Sequence, residues 1–174
     1  MPQTFEERTD TLAADPERNE FMRMVDDHGS ALLAMLRRLC GNVHDAEDVF
    51  QETAVRVWRA FANRPFLRSP RAWLMTIAYR AFVDQSGRRS RAKPLDEVVD
   101  TRHAAPESQA ERSDESRRLH EAIATLPDDL RQVLALHYTG GLTLRQTATA
   151  LDIAEGTVKS RLNAALAKLR SVLQ

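Results

Sequence analysis

Little in this sequence suits a membrane or an oxidising compartment. No apolar run approaches the roughly 18 consecutive residues that a membrane-crossing helix requires. The opening stretch "MPQTFEERTDTLAADPERNE" also lacks the apolar centre of a secretory leader. A cytoplasmic protein without membrane insertion is therefore expected. Cysteine is almost absent: Cys40 stands alone in the apolar run "LLAMLRRLC". That excludes an internal disulfide and suits a small buried side chain in a reducing compartment. Net charge is missing as well, because 25 Lys and Arg balance 25 Asp and Glu. Any attraction for a polyanion has to be local. Alternating apolar and polar stretches, the mark of half-buried strands, are hard to find.

Apolar residues instead recur at three- and four-residue spacing in this 174-residue chain, which predicts an all-α fold. Phe21, Val25, Leu32, Leu36 and Leu39 outline a first helix, stopped by Gly41-Asn42, with Gly29 a weak point in its middle. A second helix is expected to be capped by Asp45. It turns Val49, Thr53, Val57, Ala60 and Phe61 inward and leaves Asp48, Gln51, Glu52 and Arg59 outside. Pro65 breaks it, and Ser69-Pro70 starts a third helix whose expected buried stripe is Trp73, Leu74, Ile77 and Ala81.

From about Ser90 to Ser116 the chain is polar, carries Pro94 and Pro106, and has too few large apolar side chains to offset its own ordering. It reads as a flexible linker between two small helical domains. The expected division is an extension over 1–19, a helical domain over 20–90, a linker over 91–115 and a second helical domain over 116–174. The second domain should hold helices from about Glu115 to Leu126 and from Asp128 to Tyr138. Two more follow, separated by a turn of about three residues.

Charge is sorted along this map. Between Ala54 and Lys93 stand Arg56, Arg59, Arg64, Arg68, Arg71, Arg80, Arg88, Arg89, Arg91 and Lys93, against Asp84 alone. The segments before and after are acidic. A polyanion partner accounts for such a basic block better than a solvated face does.

The last two helices, "TLRQTATAL" and "EGTVKSRLNAALAKLRSVL", have the spacing of a helix-turn-helix, with Ala148 at the crossing and Leu151, Ile153 and Val158 beneath. On a helical wheel Val158, Leu162, Leu166, Leu169 and Leu173 should face inward. Ser160, Asn163, Ala164 and Ala167 then form an outer ridge bordered by Lys159, Arg161, Lys168 and Arg170. A small, weakly polar ridge with cationic edges suits the major groove, although a plain helical hairpin would share the spacing. Four cations neutralise few phosphates, so such a domain needs help from elsewhere to hold its site.

The ordered set "GNVHDAEDVFQETAVRVWRAF", "SPRAWLMTIAYRAFVDQSGRR" and "LPDDLRQVLALHYTGGLTLRQTATALDIAEGTVKSRLNAALAKLR" resembles bacterial sigma factors of the extracytoplasmic-function group, within the sigma-70 family. The resemblance spans roughly Glu20 to Leu173. It implies a factor that binds core RNA polymerase, recognises minus-ten and minus-thirty-five promoter elements, opens the start site and carries no catalytic centre, metal or cofactor. An anti-sigma factor is a further implied partner. By this resemblance Asp45, Glu47, Asp48, Gln51 and Glu52 are the core-polymerase contacts. Phe66, Arg68, Arg71, Trp73, Arg80, Arg88 and Arg89 serve the minus-ten strand, although Trp73 reads better as core because it lies on the apolar stripe. Arg145, Thr157, Lys159, Ser160, Arg161, Asn163 and Ala164 serve the minus-thirty-five element. The linker, from about Pro94 to Glu115, would thread through the polymerase or act as a plain solvated tether.

Three positions depart from the group's pattern. Arg80 stands where Asn is frequent, Asp152 replaces a frequent turn glycine, and "NAALAKL" carries fewer arginines than usual. Two other readings compete. One is a sigma-like decoy that binds a regulator without starting transcription. The other is a helical enzyme with a metal held by His44, Glu47 and Asp48 of "HDAED".

Overall fold

The computed structural model describes residues 16–61, 68–92 and 114–173, and every regular element among them is helical. The elements are α1 (Pro16–Cys40), α2 (Val43–Phe61), α3 (Pro70–Ala92), α4 (Asp114–Ala124), α5 (Asp128–Leu134), α6 (Leu144–Leu151) and α7 (Glu155–Leu173). A single π-helical turn, Ala135–Thr139, prolongs α5. The expected extension over 1–19 and linker over 91–115 are each encroached upon by helix. Residues 1–15 and 93–113 lie outside the described residues.

Local chemistry sets most boundaries. Pro16 opens α1, where a fixed φ and a missing N–H cost nothing, so helix begins four residues before the expected domain boundary at residue 20. Gly41 ends it at φ 77°, a conformation glycine adopts without a Cβ clash. The expected cap of α2, Asp45, is a helical residue instead. Asn42 caps, its Oδ1 accepting from the Asp45 backbone N–H at 2.8 Å while its Nδ2 donates to the Asp45 carboxylate at 2.8 Å. Ser69 accepts from the Ala72 N–H at 3.3 Å and starts α3 as expected. Thr143 and Gln146 form a reciprocal capping box at the head of α6.

Helices α1, α2 and α3 enclose one apolar cluster centred on Met35, Leu36, Val49, Val57, Phe61 and Met75. The Thr53 hydroxyl is satisfied inside it by donating to the Val49 carbonyl at 2.6 Å. The inner stripe of α3 differs from the expectation. Leu74, Met75, Ala78, Tyr79 and Ala81 are buried, while Trp73 and Ile77 are half-buried at its margin. The reason is that α3 is covered on two sides, by α1 and α2 and also by the second domain.

Two smaller clusters hold the C-terminal helices. Ala122, Ile123, Leu126, Leu130, Leu134, Ala165 and Leu169 join α4 and α5 to α7, and Val133, Ala148, Val158 and Leu162 lie under the helix-turn-helix. Ala165 therefore belongs to the core, which the wheel did not assign, and Leu173 is 47% exposed rather than inward.

The two domains meet. Ala135, Leu136, Leu142 and Ala150 of the C-terminal half complete the same cluster as Met35 and Leu36. Polar bonds close the seam: the Tyr79 hydroxyl donates to Gln132 Oε1 at 3.0 Å and Arg71 Nε donates to the Gly140 carbonyl at 2.7 Å. A Cβ on Gly140 would approach Met35 Sδ to 3.2 Å, so the absence of a side chain permits this contact.

Candidate polymerase and promoter interfaces

On α2 the inward residues Ala46, Val49, Thr53, Val57 and Phe61 leave an outer ridge of Glu47, Asp48, Gln51, Glu52, Val55, Trp58 and Arg59, all exposed. Four of the five expected polymerase contacts sit there. Asp45 does not, for it stands at the edge of the ridge, half-buried and turned toward α3. Sequence reasoning passed over Val55 and Trp58, which are 44% and 47% exposed. A mixed acidic and apolar ridge is the signature of a surface meant to be covered.

The facing side of α3 is knitted to α2 by ion pairs. Arg89 binds the Asp45 carboxylate and comes within 3.9 Å of Asp48. Arg56 bridges Glu52 at 2.8 Å and Asp84 at 2.6 Å. Burial would raise the Asp45 carboxyl, yet hydrogen bonds from Arg89 and Asn42 outweigh it and hold that group below the usual carboxylate range. The hydrogen bond from Arg56 lowers Glu52 in the same sense.

The basic block is thereby split. At about 100° per residue, Arg80, Arg88 and Arg91 share one exposed arc of α3, whereas Arg71 and Arg89 fall on the opposite side. Arg71 is engaged by Gly140 and Arg89 by Asp45. Arg68 is exposed in the bend before α3. Trp73 lies against Phe61 with ring centroids 6.5 Å apart, which favours its reading as core. Phe66 lies outside the described residues.

In the C-terminal domain the helix-turn-helix turns at Asp152, in the left-handed region with φ 53° and ψ 48°. Lys159, Ser160, Asn163, Ala164 and Ala167 are exposed along α7, so the outer ridge stands where the wheel put it. Lys168 and Arg170 border it, and Lys159 Nζ is 4.0 Å from Glu155. Arg145 is exposed in the first turn of α6, and Thr157 is half-buried with its carbonyl accepting from the Ser160 hydroxyl at 3.0 Å. Arg161 is the exception, since it is half-buried with Nε 3.4 Å from Asp129.

The metal reading finds no support in this geometry. His44 is exposed, Asp48 leans toward Arg89, and among the described residues no three His, Cys, Asp or Glu side chains gather to hold an ion. No helix among the described residues is long and apolar enough to cross a membrane.

Comparison with known proteins gives these surfaces a context. Residues 24–92 match the family described as Sigma-70 region 2, and residues 116–169 match Sigma-70, region 4. The ECF RNA polymerase sigma factor SigL of Mycobacterium tuberculosis is 36% identical over 168 residues, covering 93% of each chain. SigK of Mycobacterium ulcerans, also an ECF RNA polymerase sigma factor, is 31% identical over 163 residues, 90% of this chain and 87% of that one. The sigma factor RpoE of Bartonella quintana, solved with the anti-sigma factor NepR, superposes with a TM-score of 0.74 at 25% identity. The match covers 88% of this chain and 96% of that one. CnrH, solved with the cytosolic domain of CnrY, has the same fold, with a TM-score of 0.62 at 24% identity over 95% of this chain and 93% of that one. The chain therefore belongs to the ECF RNA polymerase sigma factors, non-enzymatic proteins that initiate transcription from promoters.

Proposed function

We propose that this sigma factor divides promoter initiation among three of its surfaces. The outer ridge of α2, with Glu47, Asp48, Gln51, Glu52, Val55 and Trp58, docks on core RNA polymerase, and Asp45 contributes from its edge. The exposed arc of α3 with Arg80, Arg88 and Arg91, together with Arg68 and Phe66 before it, holds the single strand of the minus-ten element through cations and an aromatic stack. Lys159, Ser160, Asn163 and Ala164 of α7 face the major groove of the minus-thirty-five element, while Arg145, Lys168 and Arg170 take phosphates. The protein works in the cytoplasm and is held in reserve by an anti-sigma factor, as the solved relatives in complex with such partners suggest.

The observation that carries this reading is the exposed ridge of α7, small and weakly polar, bordered by cations and backed by a buried core. The two elements lie some 25 base pairs apart by their names, about 85 Å of duplex at 3.4 Å per step. Domains in contact cannot reach both. They separate on the polymerase, and the 21 residues from 93 to 113 allow a reach of about 70 Å when extended.

Reconstitution with core RNA polymerase on a promoter library tests the assignment. Promoter-specific transcripts are expected, with Arg80→Ala and Arg88→Ala together lowering open-complex formation at unchanged polymerase affinity. Intact core binding without any specific transcript would favour the decoy instead.

A further inference from the structure

Asp84 is the single acid among the ten cations between Ala54 and Lys93, and its place on α3 is unfavourable for an anionic partner. At about 100° per residue it lies about 40° from Arg80, about 40° from Arg88 and about 20° from Arg91, at the centre of the arc assigned to the single strand. It also stands one turn from Arg80 and one turn from Arg88, the spacing at which an acid and a base pair along a helix. Among the described residues, however, the ion pair it makes is with neither. Its carboxylate, 52% exposed, accepts from Arg56 Nη1 of α2 at 2.6 Å. Arg56 is oriented from its own helix, where Nε donates to Glu52 Oε1 at 2.8 Å, and its side chain is only 26% exposed.

We infer that Arg56 is a positioning residue for strand capture: it draws the Asp84 carboxylate toward α2 and cancels its charge, which leaves Arg80 and Arg88 available to phosphates. The inference rests on the strand role proposed for the exposed arc of α3. Its physics is charge bookkeeping on one helix face. An uncancelled carboxylate at the centre of the arc repels a phosphate directly, or it pairs with Arg80 or Arg88 one turn away. Either way the strand meets about one cation fewer. Arg56 does not serve the strand itself, because acids on α2 and α3 occupy its guanidinium from two sides. The acid ties α3 to α2 without diluting the positive face on which it stands.

Rescue by a second mutation separates this role from that of an ordinary structural ion pair. Purified holoenzyme is titrated against a labelled 12-mer non-template strand carrying the minus-ten sequence recovered from the promoter library. Fluorescence anisotropy is read at several salt concentrations, and a scrambled 12-mer corrects for binding by the core enzyme. Arg56→Gln uncovers Asp84, and Arg56→Met keeps the apolar stem should Arg56→Gln unfold, as thermal melts of each variant will show. Strand affinity is expected to fall by about fourfold at about 0.15 M salt, with a salt slope shallower by about 0.7, the loss of one phosphate contact. Adding Asp84→Asn to either variant should return both affinity and slope to within about twofold of wild type. If the single variants bind like wild type, or if the double variants stay as weak as the single ones, the positioning role is wrong. If Arg80→Ala with Arg88→Ala leaves strand affinity unchanged, the strand role of the arc fails and takes the inference with it.

Discussion

Arg71 reaches from the first turn of α3 to the carbonyl of Gly140, 2.7 Å away, and so ties the N-terminal helical domain to the helix-turn-helix domain. Gly141 makes room for it: at φ 69° a Cβ there would come within 2.7 Å of the same guanidinium. Arg71→Ala and Gly141→Ala are both expected to loosen this seam. A hydrogen bond from a charged donor that is partly solvated is worth about 1 kcal/mol, roughly a fivefold shift toward separated domains. Energy transfer between dyes placed at Ser86 and Ser171 reads the change. Equal transfer in wild type and variants would mean that the apolar cluster alone holds the halves together.

Asp152 is the sole described residue other than glycine with a positive φ, and it stands at the turn of the helix-turn-helix. Left-handed backbone costs a residue with a Cβ roughly 1 kcal/mol. Asp152→Gly should therefore raise stability by about 0.5 kcal/mol after the greater freedom of glycine in the unfolded chain is subtracted, and Asp152→Val should lower it by more than 1 kcal/mol. Urea titration of the two variants measures both signs, and a loss on Asp152→Gly would show that the carboxylate itself stabilises the turn.

Base reading and phosphate gripping on α7 are separable. Asn163→Ala is expected to change which upstream element is preferred, because the proposed function sets the exposed Asn163 amide against a base edge. Lys168→Ala should leave the preference alone and reduce the salt slope of binding by about 0.9, the loss of one phosphate contact. Selection from a randomised upstream element, repeated at several salt concentrations, distinguishes the two. Identical preferences for Asn163→Ala and wild type would remove Asn163 from the reading face.

Cys40 is half-buried rather than fully buried as expected, and this partial burial, followed by the nearby Asp45 carboxylate, pushes its thiol up to about 12 from 9.0. At pH 8 the folded protein should hold about a thousandfold less thiolate than an unfolded chain, so alkylation should be slow until denaturant is added. The linkage runs the same way. A folded-state pKa above the unfolded value stabilises the fold below about pH 9, and that contribution fades as pH rises toward 12. Cys40→Ala should flatten the alkaline arm of the stability curve relative to wild type. Equal reactivity of native and unfolded protein at pH 8 would show that the half-buried thiol is not shielded.

The sequence exposed the helices well because apolar spacing and capping chemistry are local. Ser69-Pro70, Gly41 and the ridge of Asn163 and Ala164 needed no tertiary knowledge. The errors came where a second surface covered an element. A wheel for α3 assumes one buried face, but this helix is covered by both domains, so Trp73 and Ile77 moved to the margin and Tyr79 went inside. On α7, Ala165 lies where α4 and α5 close over the helix, and the wheel could not know that a small residue there is what lets them approach. Trp58 and Val55 were overlooked because apolar residues on a polar face look like noise until the face is seen to be continuous. The split of the basic block into an exposed arc and two engaged arginines depends on partners 44 and 69 residues away, beyond any local pattern.

The π-helical turn from Ala135 to Thr139 inserts one extra residue into what would otherwise be a regular spiral. The wider turn takes in that residue with little net rotation, so the chain downstream, including the glycines under Arg71, keeps its direction. Deleting one residue there would restore ordinary winding and leave the following chain near its present azimuth. The border between the domains thus absorbs a surplus amino acid much as an expansion joint takes up length.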